Sequence, residues 1–263
     1  MSPTFVILLD KKDLNLLTAI REFFGTGAIN VVSNETAVRF DIRNLESINS
    51  LIIPHFTKFP LKTQKLADFL LFKKAVELVN KGDHLTEEGL NKIMAIKASM
   101  NKGLTPNLIQ SFPDTVGVAR PLVKEIKTIE PEWFVGFADA EGCFDVALAK
   151  SKAKLGYYVQ LRFRIHLHYR DFLVIEALKG YLNCGYITVN SSKSKVSLTI
   201  TSITDITDIL IPIFNKYPLM GAKYQDYSDF CAVAELIQNK AHLTPTGLAE
   251  IKAIKDGMNT KRA

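Results

Sequence analysis

The stretch WFVGFADAEGCF at residues 133–144 reads as a short apolar helix that delivers one carboxylate, Glu141, at its very end. Pro131 suits a first helical turn, where a missing N–H costs nothing, and Gly142 suits a left-handed residue that stops the helix. Gly136 and Ala140 stand four apart, so one face carries little volume and another backbone can approach it closely. At the end of such a helix pair two acids would sit side by side and repel each other unless divalent cations lay between them. These residues alone leave two readings open: Glu141 is half of a metal site, or it is the solvated last residue of an amphipathic core helix.

Working outward, the chain repeats itself at a constant spacing, the one separating Phe5 from Phe163. FVILLDKKDL from Phe5 aligns with FRIHLHYRDF from Phe163, IPHFTKFPL from Ile53 with IPIFNKYPL from Ile211, and HLTEEGL from His84 with HLTPTGL from His242. Gly27 falls on Gly185, Lys65 on Lys223, and AIKASMN from Ala95 on AIKDGMN from Ala253. The same spacing carries Glu141 to a position before Met1, so the first copy is expected to lack the acid-bearing helix and the strand after it. The opening MSPTFV runs almost directly into a strand with an exposed edge, which favours a truncated start or a partner that supplies the missing piece.

With 263 residues and 47% hydrophobic content, two units of roughly 100 to 150 residues can each build a core. The formal charge of +6 points to an acidic partner, nucleic acid before membrane, because no apolar run reaches the roughly 18 residues needed to span one. Cys143, Cys184 and Cys231 form neither an even set nor a metal spacing, which places free thiols in a reducing compartment. The second copy reads as the motif helix, strands near 143–150 and 157–168, a helix over 171–182, strands near 185–190 and 195–201, then helices over 204–214, 222–239 and 245–258. Asp13 and Asp171 are candidate caps, as are Thr86 and Thr244. The domain organisation expected is a first repeat at 1–102, a linker at 103–130 in which Pro106, Pro113 and Pro121 interrupt any regular element, and a complete second repeat at 131–263.

The second strand of that repeat alternates Tyr158, Gln160, Arg162, Arg164, His166 and His168 with Val159, Leu161, Phe163, Ile165 and Leu167, giving one basic polar face and one apolar face. Any half-buried antiparallel sheet produces such alternation, and a solvated surface accounts for it. The residue types are nonetheless those that reach phosphates and major-groove base edges. Lys150, Lys152 and Lys154 form a basic tip, and Lys193, Lys195, Ser197, Thr199 and Thr201 extend the character to the next hairpin. In the first copy the positions matching Arg162, Arg164 and His166 are Thr4, Val6 and Leu8, while Arg39, Asp41 and Arg43 keep polar alternation on a later strand.

FVGFADAEG resembles the LAGLIDADG motif, and with Trp133, Cys143 and Phe144 it is similar to the second-repeat motif of single-chain LAGLIDADG homing endonucleases of fungal organelles. The resemblance covers most of the chain. It implies an α+β fold of tandem pseudo-symmetric αββαββα repeats with saddle-shaped antiparallel DNA-binding sheets, the first repeat being N-terminally incomplete. It further implies that Glu141, with Gly142 beside it, binds the catalytic divalent metal, Mg2+, that Asp139 is mainly structural, and that Lys65 and Lys223 point into a cleavage pocket where they stabilise charge at the scissile phosphate. The implied protein is an organelle-encoded, mitochondrial monomer that cleaves both strands of a long double-stranded DNA site. With a single motif acid, the expectation for residues 1–263 is binding with nicking or no cutting. The alternatives are an intron RNA maturase, or an inactive nucleic-acid-binding or ribosome-associated protein of the same fold.

Overall fold

Alternation of apolar and polar residues, interrupted by glycine turns and apolar helical stripes, folds each copy as a sheet covered by helices on one face. The computed structural model describes residues 2–32, 36–123, 126–152 and 155–259. It divides into two units, Met1–Lys124 and Glu125–Ala263.

The first unit runs β1 (Phe5–Asp10), α1 (Leu14–Phe24), β2 (Ala28–Val31), β3 (Ala37–Ile42), α2 (Leu45–Ser47), a π-helical turn (Ile48–Ile52), α3 (Ile53–Lys58), α4 (Lys65–Asn80), α5 (Glu87–Ala98) and α6 (Pro106–Ser111). Its antiparallel sheet has the order β1-β3-β2, with Phe5 opposite Ile42 and Ile29 opposite Phe40. Leu17, Val38, Phe40, Ile42, Ile48, Ile52 and Val76 form its main core. Of the prolines expected to interrupt regular structure beyond residue 103, Pro113 and Pro121 lie outside helix and strand, whereas Pro106 opens α6 at the helical position that needs no N–H. Leu104, Leu108 and Phe112 then pack on Val79, Ile93 and Met94, and Arg120 binds Asp68 and the Ser99 carbonyl, so this segment lies against the first unit.

The second unit runs α7 (Pro131–Glu141), β4 (Gly142–Lys150), β5 (Tyr157–His168), α8 (Phe172–Leu182), β6 (Tyr186–Val189), β7 (Lys195–Ile200), α9 (Ile203–Asp205), a second π-helical turn (Ile206–Leu210), α10 (Ile211–Lys216), α11 (Lys223–Gln238) and α12 (Pro245–Asp256). The sheet order is β4-β5-β7-β6, all antiparallel. Phe134, Phe144, Phe163, Phe214 and Phe230 are fully buried, and Phe163, Phe214 and Phe230 stand around Phe144 with ring centroids at 5.0–5.4 Å. Burial of each contributes about 1.5–3 kcal/mol.

The repeat is visible in backbone detail. Both π-helical turns precede an Ile-Pro pair, Pro54 and Pro212, whose rings cannot donate to the preceding turn and would clash with its carbonyl; the wider turn relieves that. Gly27 and Gly185 both have positive φ, and a Cβ on Gly185 would stand 2.6 Å from Ile200 and from the Thr199 carbonyl. Thr86 and Thr244 accept from Gly89 N and Gly247 N at 3.1 Å, capping α5 and α12 as expected. Asp13 and Asp171 stand at the N-cap positions of α1 and α8 without a side-chain cap bond. The capping is done three residues earlier, where Asp10 and His168 accept from Lys12 N and Arg170 N at the start of a 3-10 turn. No helix among the described residues is long and apolar enough to cross a membrane.

Candidate nucleic-acid interface and cleavage site

Helix α7 buries Phe134, Val135 and Ala138 and leaves Gly136 and Ala140 exposed, with no atom within 4 Å of a Cβ built on Gly136. Gly142 is not left-handed, as the sequence suggested: φ is −74° and ψ 155°, so the chain passes straight from helix to strand. The glycine is required by crowding instead, since a Cβ there would lie 2.5 Å from the Ala138 carbonyl oxygen. Asp139 accepts from Met220 N (2.9 Å) and Gly221 N (2.7 Å), tying the helix end to the loop before α11. Glu141 is exposed, and its carboxylate takes no hydrogen bond or ion pair among the described residues. The Gly142 carbonyl accepts from Lys223 Nζ at 2.5 Å, which places an ammonium on the peptide group next to Glu141. In the first unit Lys65 Nζ donates to Asn101 Oδ1 at 3.4 Å.

No three His, Cys, Asp or Glu side chains converge among the described residues. Glu141 therefore offers hard oxygen to an ion that keeps most of its water and takes further ligands from phosphate, rather than a protein cage; a divalent cation of that kind fits.

The exposed face of the second sheet begins beside this acid. Val159, Leu161, Phe163 and Ile165 are buried, while Tyr158 and His166 are exposed and Gln160, Arg162 and Arg164 half-buried. The sequence did not single out Asp145 on β4, opposite Arg162 in the register, which organises this face. It receives Arg162 Nε at 2.8 Å and Nη2 at 3.3 Å, and Arg164 Nη2 as well. One carboxylate thus holds the Arg162 fork through two nitrogens and Arg164 through one. Its signal was the acid at an odd, face-sharing position of the first strand. His166 Nδ1 lies 2.6 Å from Ser197 Oγ, and burial, then the positive Arg164 and Lys195, hold its pKa below the usual imidazole value. His168 is exposed on the same strand face, with its Nδ1 engaged as the cap described above. Lys150, Lys152, Lys193 and Lys195 are exposed; Lys154 lies outside the described residues. Lys193 has φ 49° in a turn held by Asn190, whose Oδ1 accepts from Ser194 N and Lys195 N. Thr199 departs from the expected pattern: it is 7% exposed, set between Arg164 and the large Tyr186 in register, and presents no open surface. Tyr186, 49% exposed, shares that face and was missed because its strand is only four residues long.

On the first sheet Val6 and Leu8 are exposed, leaving apolar contacts where the second sheet has arginine. Asp41 is 4% exposed between Arg39 (3.1 Å) and Arg43 (2.7 Å), so an acid again holds two arginines. The three cysteines are free, and burial pushes their thiols up, Cys184 to about 11.

The sequence pattern of the family described as "LAGLIDADG endonuclease" matches residues 1–76 and 134–234. A probable intron-encoded endonuclease 3 of Neurospora crassa is 46% identical over 252 residues, 95% of this chain and 47% of that protein. A probable intron-encoded endonuclease 2 of the same fungus is 35% identical, over 97% of this chain and 57% of its own length. The chain thus spans about half the length of these curated relatives. Among solved structures, the I-SmaMI LAGLIDADG homing endonuclease bound to cleaved DNA superimposes with a TM-score of 0.95 at 42% identity, covering 100% of this chain and 88% of that one. I-LtrWI, a LAGLIDADG homing endonuclease bound to target DNA, gives 0.95 at 40% identity over 100% and 88%. I-SmaMI has also been solved with uncleaved DNA in the presence of calcium ions, at a TM-score of 0.93, 42% identity and coverage of 98% and 88%.

Proposed function

We infer that this chain, which belongs to the LAGLIDADG endonuclease family, is a site-specific homing endonuclease that binds a long double-stranded DNA target and hydrolyses its phosphodiester backbone with a divalent metal, Mg2+. The observation that carries this reading is the Glu141 carboxylate, without a partner among the described residues and set where α7 passes into β4, with Lys223 on the next carbonyl and the arginine-bearing sheet face beginning two residues further on.

Glu141 would hold the cation, with the Gly142 carbonyl already engaged by Lys223. When bound, such an ion supplies a Lewis acid for the phosphate and lowers the pKa of water. The chain's own groups do the rest. The Lys223 ammonium offers positive charge where negative charge grows on the scissile phosphate, and Lys65 plays the corresponding part in the other repeat. Arg162, Arg164, Gln160, His166, Tyr158, Ser197, Lys193 and Lys195, with the tip lysines Lys150 and Lys152, contact the duplex; Arg39 and Arg43 serve the other half-site. Thr199 packs between Arg164 and Tyr186 within that face. The intron-encoded fungal relatives support a mitochondrial, organelle-encoded setting, and the protein acts as a monomer of two pseudo-symmetric repeats, 1–102 and 131–263.

The test is incubation of residues 1–263 with Mg2+ and a plasmid library of randomised duplex targets, beside Glu141→Gln. Residues 1–263 hold one such motif acid, so sequence-defined nicks are expected from them alone. A chain extended upstream to carry the symmetry-related acid is expected to break both strands. Glu141→Gln should fall to background in either. Cutting that survives Glu141→Gln, or selective binding of structured RNA over every duplex, overturns the reading.

A further inference from the structure

One set of side chains repeats across the two units without being demanded by either core. Lys223 and Asp226 stand one turn apart at the start of α11, and Asn259 follows α12; Lys65, Asp68 and Asn101 occupy the same places around α4 and α5. Both asparagines are left-handed, with φ 58° and 49°. Glycine would adopt that backbone without strain, whereas asparagine brings a side chain as well. In both units the asparagine N–H donates to the aspartate: Asn259 N to Asp226 Oδ1 at 2.8 Å, Asn101 N to Asp68 Oδ1 at 2.9 Å.

The side chains show what the arrangement holds. Strand β4 is an edge strand, and the carbonyls of Gly142 and Phe144, two residues apart, face away from β5. Lys223 Nζ takes the first, and Asn259 Nδ2 takes the second at 3.0 Å. Asn259 therefore ties together the two places that determine where the lysine ammonium lies: its root on α11, through Asp226, and the strand that carries its acceptor, through Phe144. In the first unit the coupling is direct, since Asn101 Oδ1 accepts from Lys65 Nζ. A lysine left to itself has a flexible four-carbon stem and loses much rotamer freedom on being held.

We propose that Asp226 with Asn259, and Asp68 with Asn101, are positioning residues that clasp Lys223 and Lys65 in place for phosphate cleavage. The catalytic consequence rests on the endonuclease reading; the clasp itself does not, and the experiment separates them. Asn259→Gly and Asn101→Gly keep the left-handed backbone and remove only the side chain. Limited acetylation of residues 1–263, read lysine by lysine by mass spectrometry, should show Lys223 modified about fivefold faster in Asn259→Gly, the ratio that one lost hydrogen bond corresponds to, with Lys65 unchanged. The reverse pattern is expected in Asn101→Gly. On a cleavable target, Asn259→Gly should bind DNA within about twofold of the parent while its single-turnover cleavage falls on the order of tenfold or more, because a misplaced group costs rate rather than affinity. Unchanged acetylation at both lysines overturns the clasp. Altered acetylation with an unchanged cleavage rate overturns the positioning role. If residues 1–263 cut no DNA, the cleavage comparison is made in the upstream-extended chain; if neither cuts, the endonuclease reading fails and the lysine reactivities alone decide the clasp.

Discussion

Replacing Asp145 by asparagine should turn a recognition device into a less discriminating attractor for DNA. One carboxylate now serves both Arg162 and Arg164, so the cluster carries a net single positive charge and the Arg162 fork is held in a fixed plane. The amide keeps the shape, removes the charge and frees one guanidinium for a phosphate. One further phosphate contact steepens the dependence of log affinity on log salt by about 0.9, so a fourfold rise from about 50 to about 200 mM would cost the variant roughly 3.5-fold more affinity than the parent. Loss of a fixed bidentate fork should also remove about 1–3 kcal/mol of discrimination at the contacted base, on the order of five- to a hundred-fold. Fluorescence anisotropy with the cognate duplex and a scrambled one, each titrated at several salt concentrations, reads both quantities. The expected result is tighter binding to scrambled DNA at low salt, a steeper slope and a smaller specificity ratio. A parallel slope with an unchanged ratio would refute the idea that Asp145 sets the charge and aim of these arginines.

Two other outcomes follow from the geometry. Lys240 is left-handed at φ 58°, where the first repeat has Gly82 at φ 79°; Lys240→Gly should stabilise the protein by about 0.5–1 kcal/mol, the relieved backbone strain less the greater freedom of unfolded glycine, seen as a rise in urea midpoint at constant slope. His166 should titrate below the ordinary 6.5 when followed by NMR of its ring protons, because burial and the neighbouring cations disfavour its charged form. Since the folded value is the lower one, the proton binds more tightly to the unfolded chain, and this group's effect is to weaken stability as pH falls through the ordinary imidazole range. A midpoint above 6.5 would mean the imidazole is paired with an acid that the structure does not place there.

Much of this was legible because it depends on period and position. Strict alternation along residues 158–168 put Val159 to Ile165 inside and Arg162 and Arg164 outside, and apolar stripes with Thr caps located α5 and α12. What escaped depends on distances that a linear pattern does not contain. Gly142 is a glycine for its closeness to the Ala138 carbonyl, not for its φ, and both causes leave the same letter in the sequence. Pro106 signals a break in one context and a helix start in another; the apolar Leu108 and Phe112, packing on α5, decide between them. Thr199 has the alternation of an outward residue but sits between larger neighbours. Asp145 was overlooked because its role lies across the strand pair, in a register that alternation alone does not fix.

The internal repeat allows one further step, because the two sheets arrive at the same arrangement by different residues. In the second unit the acid is on β4 and both arginines come from β5; in the first, the acid and Arg39 share β3 and Arg43 follows it. By the repeat spacing Asp41 corresponds to Thr199, Arg39 to Ser197 and Arg43 to Thr201, while Arg162 and Arg164 correspond to Thr4 and Val6. None of the matched positions preserves its residue. The scaffold behaves in the opposite way: Gly27 and Gly185, Pro54 and Pro212, Thr86 and Thr244, and Asn101 and Asn259 are identical pairs, the asparagines sharing a left-handed backbone and an N–H bond to aspartate. The acid with its two arginines is therefore drawn from different positions in the two repeats. On each exposed face a carboxylate neutralises one positive charge and holds two guanidinium groups beside it.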